Sequence, residues 1–587
     1  MNLSKFLNEI DNAAAAMTQD QLTRFIHDIA RALPEQDRDD FLLRLKEIHK
    51  SKENRKKPHS HSKDFSDQYQ SIKSKLERIE SWELCLTGYL NEEYDDWYDS
   101  SREEFIYEDP NGVIDSIEDA CRFLHQCVER EEYKAACEIA RILVTLDIMV
   151  GGDYQDYADE PLNIRELSWH HLGNIDYKAL VVDALRGAYG ANELTERAKV
   201  LYEIIKTSKS DDITLEIVMQ NGKELPDIDK FLPLWIEYLG NVREDNAERL
   251  LKEALQLSNN SEQFLISARR YHDSHPELYE QYILNRQGNE DDKALLAIGE
   301  EALKMIPTKY LVRSRIALCM SRTALRCDMR ETAEWYWLEA FRSDTRIVNY
   351  LRIFMEYKDF SKVRDKVRAI CHSLYSQLKV DKYRYSLYER QKENLVSPSN
   401  IYMLAFWDGD FQFVKEHGMN VNRFLGWSDT FMKCGIAAFL LLFMEDAALG
   451  DGGKTMCHMV VSLTNFDKAE YEKGILKTIG ESSEAFFWKF WSDWKKTVSF
   501  SEEERREYLD WVSGLLVRRV ESIMEGNYRN YYEECATYIA ALGEALESGG
   551  AINGKQNLMI KYKEMYPRRS AFHRELRQYG MRDAKKK

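Results

Sequence analysis

Apolar positions in this chain recur at spacings of three and four, the period of a helix with one buried face. In "TQDQLTRFIHDIARAL", Leu22, Phe25, Ile26, Ile29, Ala30 and Leu33 share such a face. Thr18 stands as the N-cap, with Gln21 three residues on. Pro34 opens the next segment, where Phe41, Leu42, Leu45 and Ile48 make a second stripe. Residues 1–49 are therefore predicted to be a small N-terminal helical region. Residues 50–66 are basic and nearly without large apolar side chains, and read as a flexible linker. From about residue 67 the pattern is helix after helix. Several segments place a small or apolar residue, a larger one four later, and a small or apolar one three after that. Examples are Ala198, Tyr202 and Ile205; Ala247, Leu251 and Ala254; Leu295, Gly299 and Ala302; and Ala333, Trp337 and Ala340. Small residues there let two antiparallel helices approach closely, and the larger one fills the partner's groove. The fold class predicted is all-α, an α-solenoid of antiparallel helix pairs.

This spacing resembles the second helix of a tetratricopeptide repeat, with its Ala, aromatic and Ala positions and a following Pro, here Pro307 after the helix that holds Ala302. Segment 315–345 matches best, although Ala317, Met320 and Ser321 replace the Trp, Leu and Gly of the family's first helix. The steps from Ala198 to Ala247 to Leu295 to Ala333 are 49, 48 and 38 residues, against about 34 in that family. The resemblance implies degenerate TPR-like repeats over 67–400. The remainder, 401–587, reads as a C-terminal helical repeat domain. Its Leu425-Gly426-Trp427-Ser428 turn, the helix from Tyr531 to Ala541, and Tyr566-Pro567-Arg568-Arg569 leading into Phe572 resemble the helical tail of bacterial SWIM-type zinc-finger proteins. The zinc motif of that family, Cys-x-Cys with a later Cys-x-His, does not occur in the chain. That resemblance therefore implies a helical scaffold and no zinc function.

Composition sharpens the picture. The 587 residues exceed what one hydrophobic core usually serves. Gly and Pro together number 27 + 10 = 37, about half of average usage, which suits long helices with short turns. The net charge of −18 disfavours the phosphate backbone of nucleic acid as a general partner. The 10 cysteines sit in helical contexts and form no paired framework, which predicts a reducing, cytoplasmic setting. No signal-peptide order and no run of about 20 apolar residues is present.

Candidate chemistry is sparse. "ALGDGGKT", 448–455, comes near a phosphate-binding loop: Gly453, Lys454 and Thr455 fit, but Ala448 holds the first Gly position. The preceding "GIAAFLLLFMEDAALG" reads as a helix ending at Gly450, where a parallel strand should stand. A Gly-rich turn between helices is the simpler reading. Cys121 and His125 share a helix face with Cys127 nearby, and His170-His171 are adjacent. None of these forms a full ligand set. Phe486, Phe487, Phe490, Trp491 and Trp494 form a core-facing stripe, with Trp488 off it. No hydrolase signature occurs. The chain is read as a non-enzyme needing no cofactor and no metal.

What stands out is "YLNEEYDDWYDSSREEFIYEDP", 89–110, with nine carboxylates among aromatics and only Arg102 opposing them. It reads as a short helix, a break and an irregular arm ahead of the turn Asp109-Pro110-Asn111-Gly112. "GGDYQDYADEPLNIRE", 151–166, repeats the theme. Such acids face a basic surface of the same chain, a basic partner, solvent or a divalent cation. The partner-binding residues expected are Tyr94, Asp95, Asp96, Trp97, Tyr98, Asp99, Asp153, Tyr154, Asp156 and Tyr157. The function expected is a scaffold or adaptor engaging a protein with a basic surface, with no membrane contact. The alternative is a nucleic-acid accessory role through Arg568, Arg569, Arg574 and Arg577 of the basic C-terminus. A nucleotide-binding enzyme using 448–455 ranks third.

Overall fold

The computed structural model describes residues 61–90, 105–152, 161–170, 172–288, 291–377, 392–394, 397–418, 430–446, 449–464 and 466–582. The N-terminal helices expected over 1–49 lie outside these residues. The chain forms two compact units, Met1–Ala191 and Asn192–Lys587, so the boundary read near residue 400 falls inside the second.

In the first unit, helix α1 (His61–Glu80) begins within the stretch read as linker. Its apolar face, with Ile72, Leu76 and Ile79 buried, packs on α2 (Val113–Glu129) and α3 (Tyr133–Thr145). Helix α5 (Tyr177–Ala191) closes the group against α2 and α3. The close approach of α5 to α3 needs glycine: a Cβ on Gly187 would stand 2.9 Å from that of Ala136. Between α1 and α2 run strands β1 (Leu86–Leu90) and β2 (Phe105–Glu108). The chain then forms β3 (Asp147–Ile148), β4 (Val150–Gly152), β5 (Leu162–Asn163) and the short helix α4 (Ile164–Trp169). β1 is the centre of a three-stranded sheet. It pairs antiparallel with β2, from Thr87 opposite Glu108 to Leu90 opposite Phe105, and parallel with β4, Gly88 opposite Gly152. β3 and β5 make a separate antiparallel pair.

The helix-and-arm reading of 89–110 is corrected at both ends, because Tyr89–Leu90 finish β1 and Phe105–Glu108 are β2. The physical reason is residue type and alternation. Leu86 and Gly88 point inward while Tyr89 is exposed, and aromatic and β-branched residues suit a half-buried pleat. The Asp109–Gly112 turn is present as read. The Asp109 carboxylate accepts hydrogen bonds from the Val113 and Ile114 amides at 2.8 Å, capping α2, and Gly112 takes the left-handed φ of 65°.

The second unit is an α-solenoid in which most helices pack on helices near them in the chain. Helices α6 (Leu194–Ser208), α7 (Leu215–Gln220), α8 (Ile228–Gly240), α9 (Asp245–Leu257), α10 (Ser261–Arg270), α11 (Glu277–Arg286) and α12 (Asp292–Met305) lead to α13 (Leu311–Arg326) and α14 (Arg330–Ser343). The small–large–small residues read from the sequence are all buried, from Ala198, Tyr202 and Ile205 to Ala333, Trp337 and Ala340. Gly299 departs from that pattern at the position of the larger residue, because a Cβ there would meet Met320 of α13 at 2.4 Å. Helices α15 (Ile347–Glu356), α16 (Ser361–Gln377), α17 (Pro398–Trp407) and α18 (Thr430–Leu442) follow. The helix expected to run on to Gly450 stops at Leu442, and α19 starts afresh (Asp451–Thr464). Then come α20 (Lys468–Glu472), α21 (Ser483–Lys495), α22 (Glu502–Glu525), α23 (Tyr532–Ser548), α24 (Gly554–Met565) and α25 (Ser570–Gln578). The last four-helix group shares a core of Val520, Ile523, Cys535, Ile539, Tyr562 and Phe572.

An aromatic core joins α17 to α21. Trp407 lies 4.5 Å from Trp494 and 5.0 Å from Phe490, centroid to centroid. The Trp407 carbonyl accepts from the Trp494 indole N–H at 2.7 Å and the Tyr350 hydroxyl at 2.9 Å. The five residues of the predicted stripe are all buried here. Trp488 is half-buried, with its ring edge-on to Phe487 at 5.2 Å. Trp494→Phe loses one hydrogen bond and is expected to cost about 1 kcal/mol, whereas Trp494→Ala is expected to cost about 3–5 kcal/mol. Urea unfolding followed by far-UV circular dichroism checks the order and the gap.

Candidate functional site: a groove beside a captured segment

Residues 467–475 are bound along α13, α14 and α15. Asp467 caps α20 by accepting from the Ala469 amide at 2.8 Å. Three buried side chains from the solenoid then take up the segment's backbone carbonyls. The Arg352 Nε donates to the Tyr471 carbonyl at 3.1 Å and its Nη2 to that of Glu470 at 2.6 Å. The Trp337 indole donates to the Gly474 carbonyl at 2.7 Å, and the Ser321 hydroxyl donates to the same oxygen at 2.9 Å. Arg352 is wholly buried, and that burial pushes its pKa down to about 10. Its guanidinium lies 5.6 Å from the Tyr471 ring, and the Tyr471 hydroxyl donates to Glu356 at 2.9 Å. Only glycine fits at 474, since a Cβ would stand 2.7 Å from the Arg352 Nε and 2.9 Å from Leu318.

A groove of about 720 Å³ adjoins this segment. One face of α13 forms its floor, through Leu311, Ser314, Arg315, Leu318, Cys319 and Arg322. These recur at helical spacing, so one side of the helix is given over to the groove. Glu280 and Leu284 of α11, then Asp344, Arg346, Glu393 and Asn394, make the walls, and Glu470 and Lys473 of the captured segment make the rim. Its charges are mostly neutralised in place. Arg315 meets Glu280 through two hydrogen bonds of 2.7 and 2.8 Å. Arg346 lies 2.7 Å from Asp344, Lys473 pairs with Glu470, and Lys309 pairs with Glu393. Arg322 makes no ion pair among the described residues. Burial, reinforced by Glu280, pushes the Cys319 thiol up to about 12. Cys319 is thus a neutral thiol, accepting from the Gln287 amide at 2.7 Å, the opposite of an activated nucleophile.

The sequence did signal this place, faintly. Arg352 stands alone in the apolar run "NYLRIFM", and Ser321 replaces a repeat-family Gly. What it hid was the partner, 118 residues further on.

The other predicted positions fare differently. The ten acidic–aromatic residues from Tyr94 to Tyr157 lie outside the described residues. Their flanks do not, and β1 and β4 run parallel side by side into the two segments. The Gly-rich turn read between helices at 448–455 is shorter than read, because the next helix already starts at Asp451. Gly452 and Gly453 open α19, and their amides donate to the Glu544 carboxylate at 3.2 and 2.7 Å, with Lys555 2.6 Å from it. A buried carboxylate thus fills the place a phosphate would take at this helix N-terminus. Gly452 is needed for contact with α23, because a Cβ would meet the Ala541 amide nitrogen at 2.6 Å. His125 Nδ1 lies 2.9 Å from Asp183. Burial pushes the Cys121 and Cys127 thiols up to about 12. Among the described residues no three His, Cys, Asp or Glu side chains are grouped to hold a metal. The His170 ring packs 5.3 Å from Tyr107, and His171 is outside the described residues. Of the C-terminal arginines, Arg569 donates to the Met524 carbonyl and to Asn527, closing the end of α22. Arg574 pairs with Glu575 at 3.0 Å. Arg568, Arg574 and Arg577 are exposed. Among the described residues no helix is long and apolar enough to cross a membrane.

With Glu544 in the phosphate position, the wild-type protein is expected to show no ATP binding that depends on Lys454. Isothermal titration of wild type and Lys454→Ala with ATP and magnesium checks this. Glu544→Ala is expected to lower stability by about 2–3 kcal/mol, read from the urea midpoint.

No protein-family model matches the chain, and no curated protein sequence matches it. Among solved structures, a circular tandem repeat protein with novel repeat topology and enhanced subunit contact surfaces is similar, with 13% identity and a TM-score of 0.16, covering 88% of this chain and 96% of that one. Overlap at that score defines neither a family nor an activity.

Proposed function

We propose that this chain is a helical-repeat scaffold that engages a basic protein partner through its two acidic–aromatic segments, residues 89–110 and 151–166. One observation carries the reading: the parallel pairing of β1 with β4. Gly88 stands opposite Gly152, so both strands run into their acidic segments at the same end of one sheet. β2 re-enters that sheet at Phe105, opposite Leu90, again at that end. Adjacent strands lie about 4.8 Å apart. The sheet therefore brings both roots of 91–104 and the N-terminal root of 153–160 to one end. The first holds seven carboxylates and Arg102, −7 + 1 = −6, and the second holds four, so the pair carries −10. Charge of one sign concentrated at one place attracts a partner of the other sign and speeds its encounter. Tyr94, Trp97, Tyr98, Tyr154 and Tyr157 supply the aromatic anchors that such interfaces use. The ten free cysteines support placing the adaptor in the reducing cytoplasm.

The test is capture from native lysate, with and without nuclease, by the full chain, wild type against the triple variant Asp95→Lys, Asp96→Lys, Asp99→Lys. Basic proteins retained by wild type are expected to fall at least about tenfold on the variant. Equal retention by both proteins, or partners that vanish with nuclease alone, would overturn the reading.

A further inference from the structure

The geometry points to a second, separate binding site: the groove on α13 takes an extended peptide whose acidic side chain meets Arg322. The observations are independent of the acidic segments and lie wholly in the second unit. The first is the neighbouring wall. Ser321, Trp337 and Arg352 already hold a stretch of backbone by its carbonyls, from Glu470 to Gly474. The groove continues from that stretch without a break, since Leu318 lies against Gly474 and also lines the groove, and Lys473 forms its rim. The second is the Ser314 hydroxyl on the groove floor. Ser314 is only 1% exposed, and its Oγ has no hydrogen-bond partner. A buried hydroxyl left without a partner is costly, and a peptide backbone group in the groove would satisfy it. The third is charge. Arg315, Arg346, Lys473 and the adjacent Lys309 are matched by Glu280, Asp344, Glu470 and Glu393. Arg322, which is exposed, makes no ion pair among the described residues and is the groove charge open to a ligand carboxylate. Leu284, Leu311 and Leu318 line the same groove and provide apolar contact. The occupant is thus a short extended peptide with one carboxylate and apolar side chains, a few residues of which the groove volume of about 720 Å³ accommodates.

Fluorescence anisotropy with the full chain tests this. The probes are fluorescein-labelled, leucine-rich octapeptides that carry one Glu at each position in turn, and the same set with Gln. At least one Glu peptide is expected to bind about tenfold more tightly than its Gln twin, the scale of a charge-assisted hydrogen bond. Arg322→Glu removes that preference. Leu284→Arg, at an exposed position outside the core, removes binding of both twins. The triple variant Asp95→Lys, Asp96→Lys, Asp99→Lys leaves the preference intact, which separates this site from the acidic segments. The inference is overturned if no Glu peptide outbinds its twin, or if the preference survives Arg322→Glu with an unchanged melting curve.

Discussion

Arg352 is a guanidinium buried in the second unit with no carboxylate among its hydrogen-bond partners. Taking a cation out of water is expensive, and the usual remedy is an opposite charge. Here the remedy is backbone: the carbonyls of Glu470 and Tyr471, the side-chain oxygen of Asn349 and the face of the Tyr471 ring. Those carbonyls in turn need donors once they are buried. The two needs are met only when residues 467–475 lie along α13–α15, with Trp337 and Ser321 completing the set at Gly474. Closing a loop of more than a hundred residues carries an entropic cost that grows slowly with length. A dense cluster of hydrogen bonds in a low-dielectric setting can offset it. The rim of the groove, Glu470 and Lys473, stands where it does because of this capture.

The same economy recurs elsewhere. Glu544 answers the amides at the start of α19 and is itself answered by Lys555. Lys392 answers the buried pair Glu248 and Glu277. Arg313 answers Glu339 and Ser343. Helical repeats expose helix ends and polar side chains to one another at every turn, and here many of those groups find partners within the chain. Motifs that resemble ligand sites in one dimension are then often filled in three. The phosphate-like loop at 448–455 is the clearest case, because the amides that would cradle a phosphate are given to a side chain ninety residues away.

The helical repeat was legible because close packing leaves a local trace. Gly299, Ala333 and Ala340 are small because a neighbouring helix touches them, and Trp337 is large because it fills a groove. The stripe from Phe486 to Trp494 was legible for the same reason. The sheet of the first unit was harder. β1 and β2 are four or five residues each, too short for an alternating pattern to compete with the acidic helix-like stretch between them, and β4 pairs with β1 from sixty residues away. The groove left only a faint trace in the sequence, the lone Arg352 and Ser321 of the wall beside it. It depends on which distant segment lies against α13, and a single sequence records contacts between neighbours in the chain far better than contacts across it. The ten acidic–aromatic residues were picked for composition, and the only structural support for grouping them is the shared end of the sheet at Leu90 and Gly152.

Hydrogen–deuterium exchange on the full chain, wild type against Arg352→Leu, tests the capture most directly. Amides of residues 467–475 are predicted to be protected in wild type. In the variant they are predicted to exchange at least about tenfold faster, together with the groove-facing turns of α13, while α23–α25 stay unchanged, as expected for a local cooperative opening. Unaltered protection of 467–475 in Arg352→Leu would contradict the account, since the segment would then be held by something other than the carbonyl contacts of Arg352.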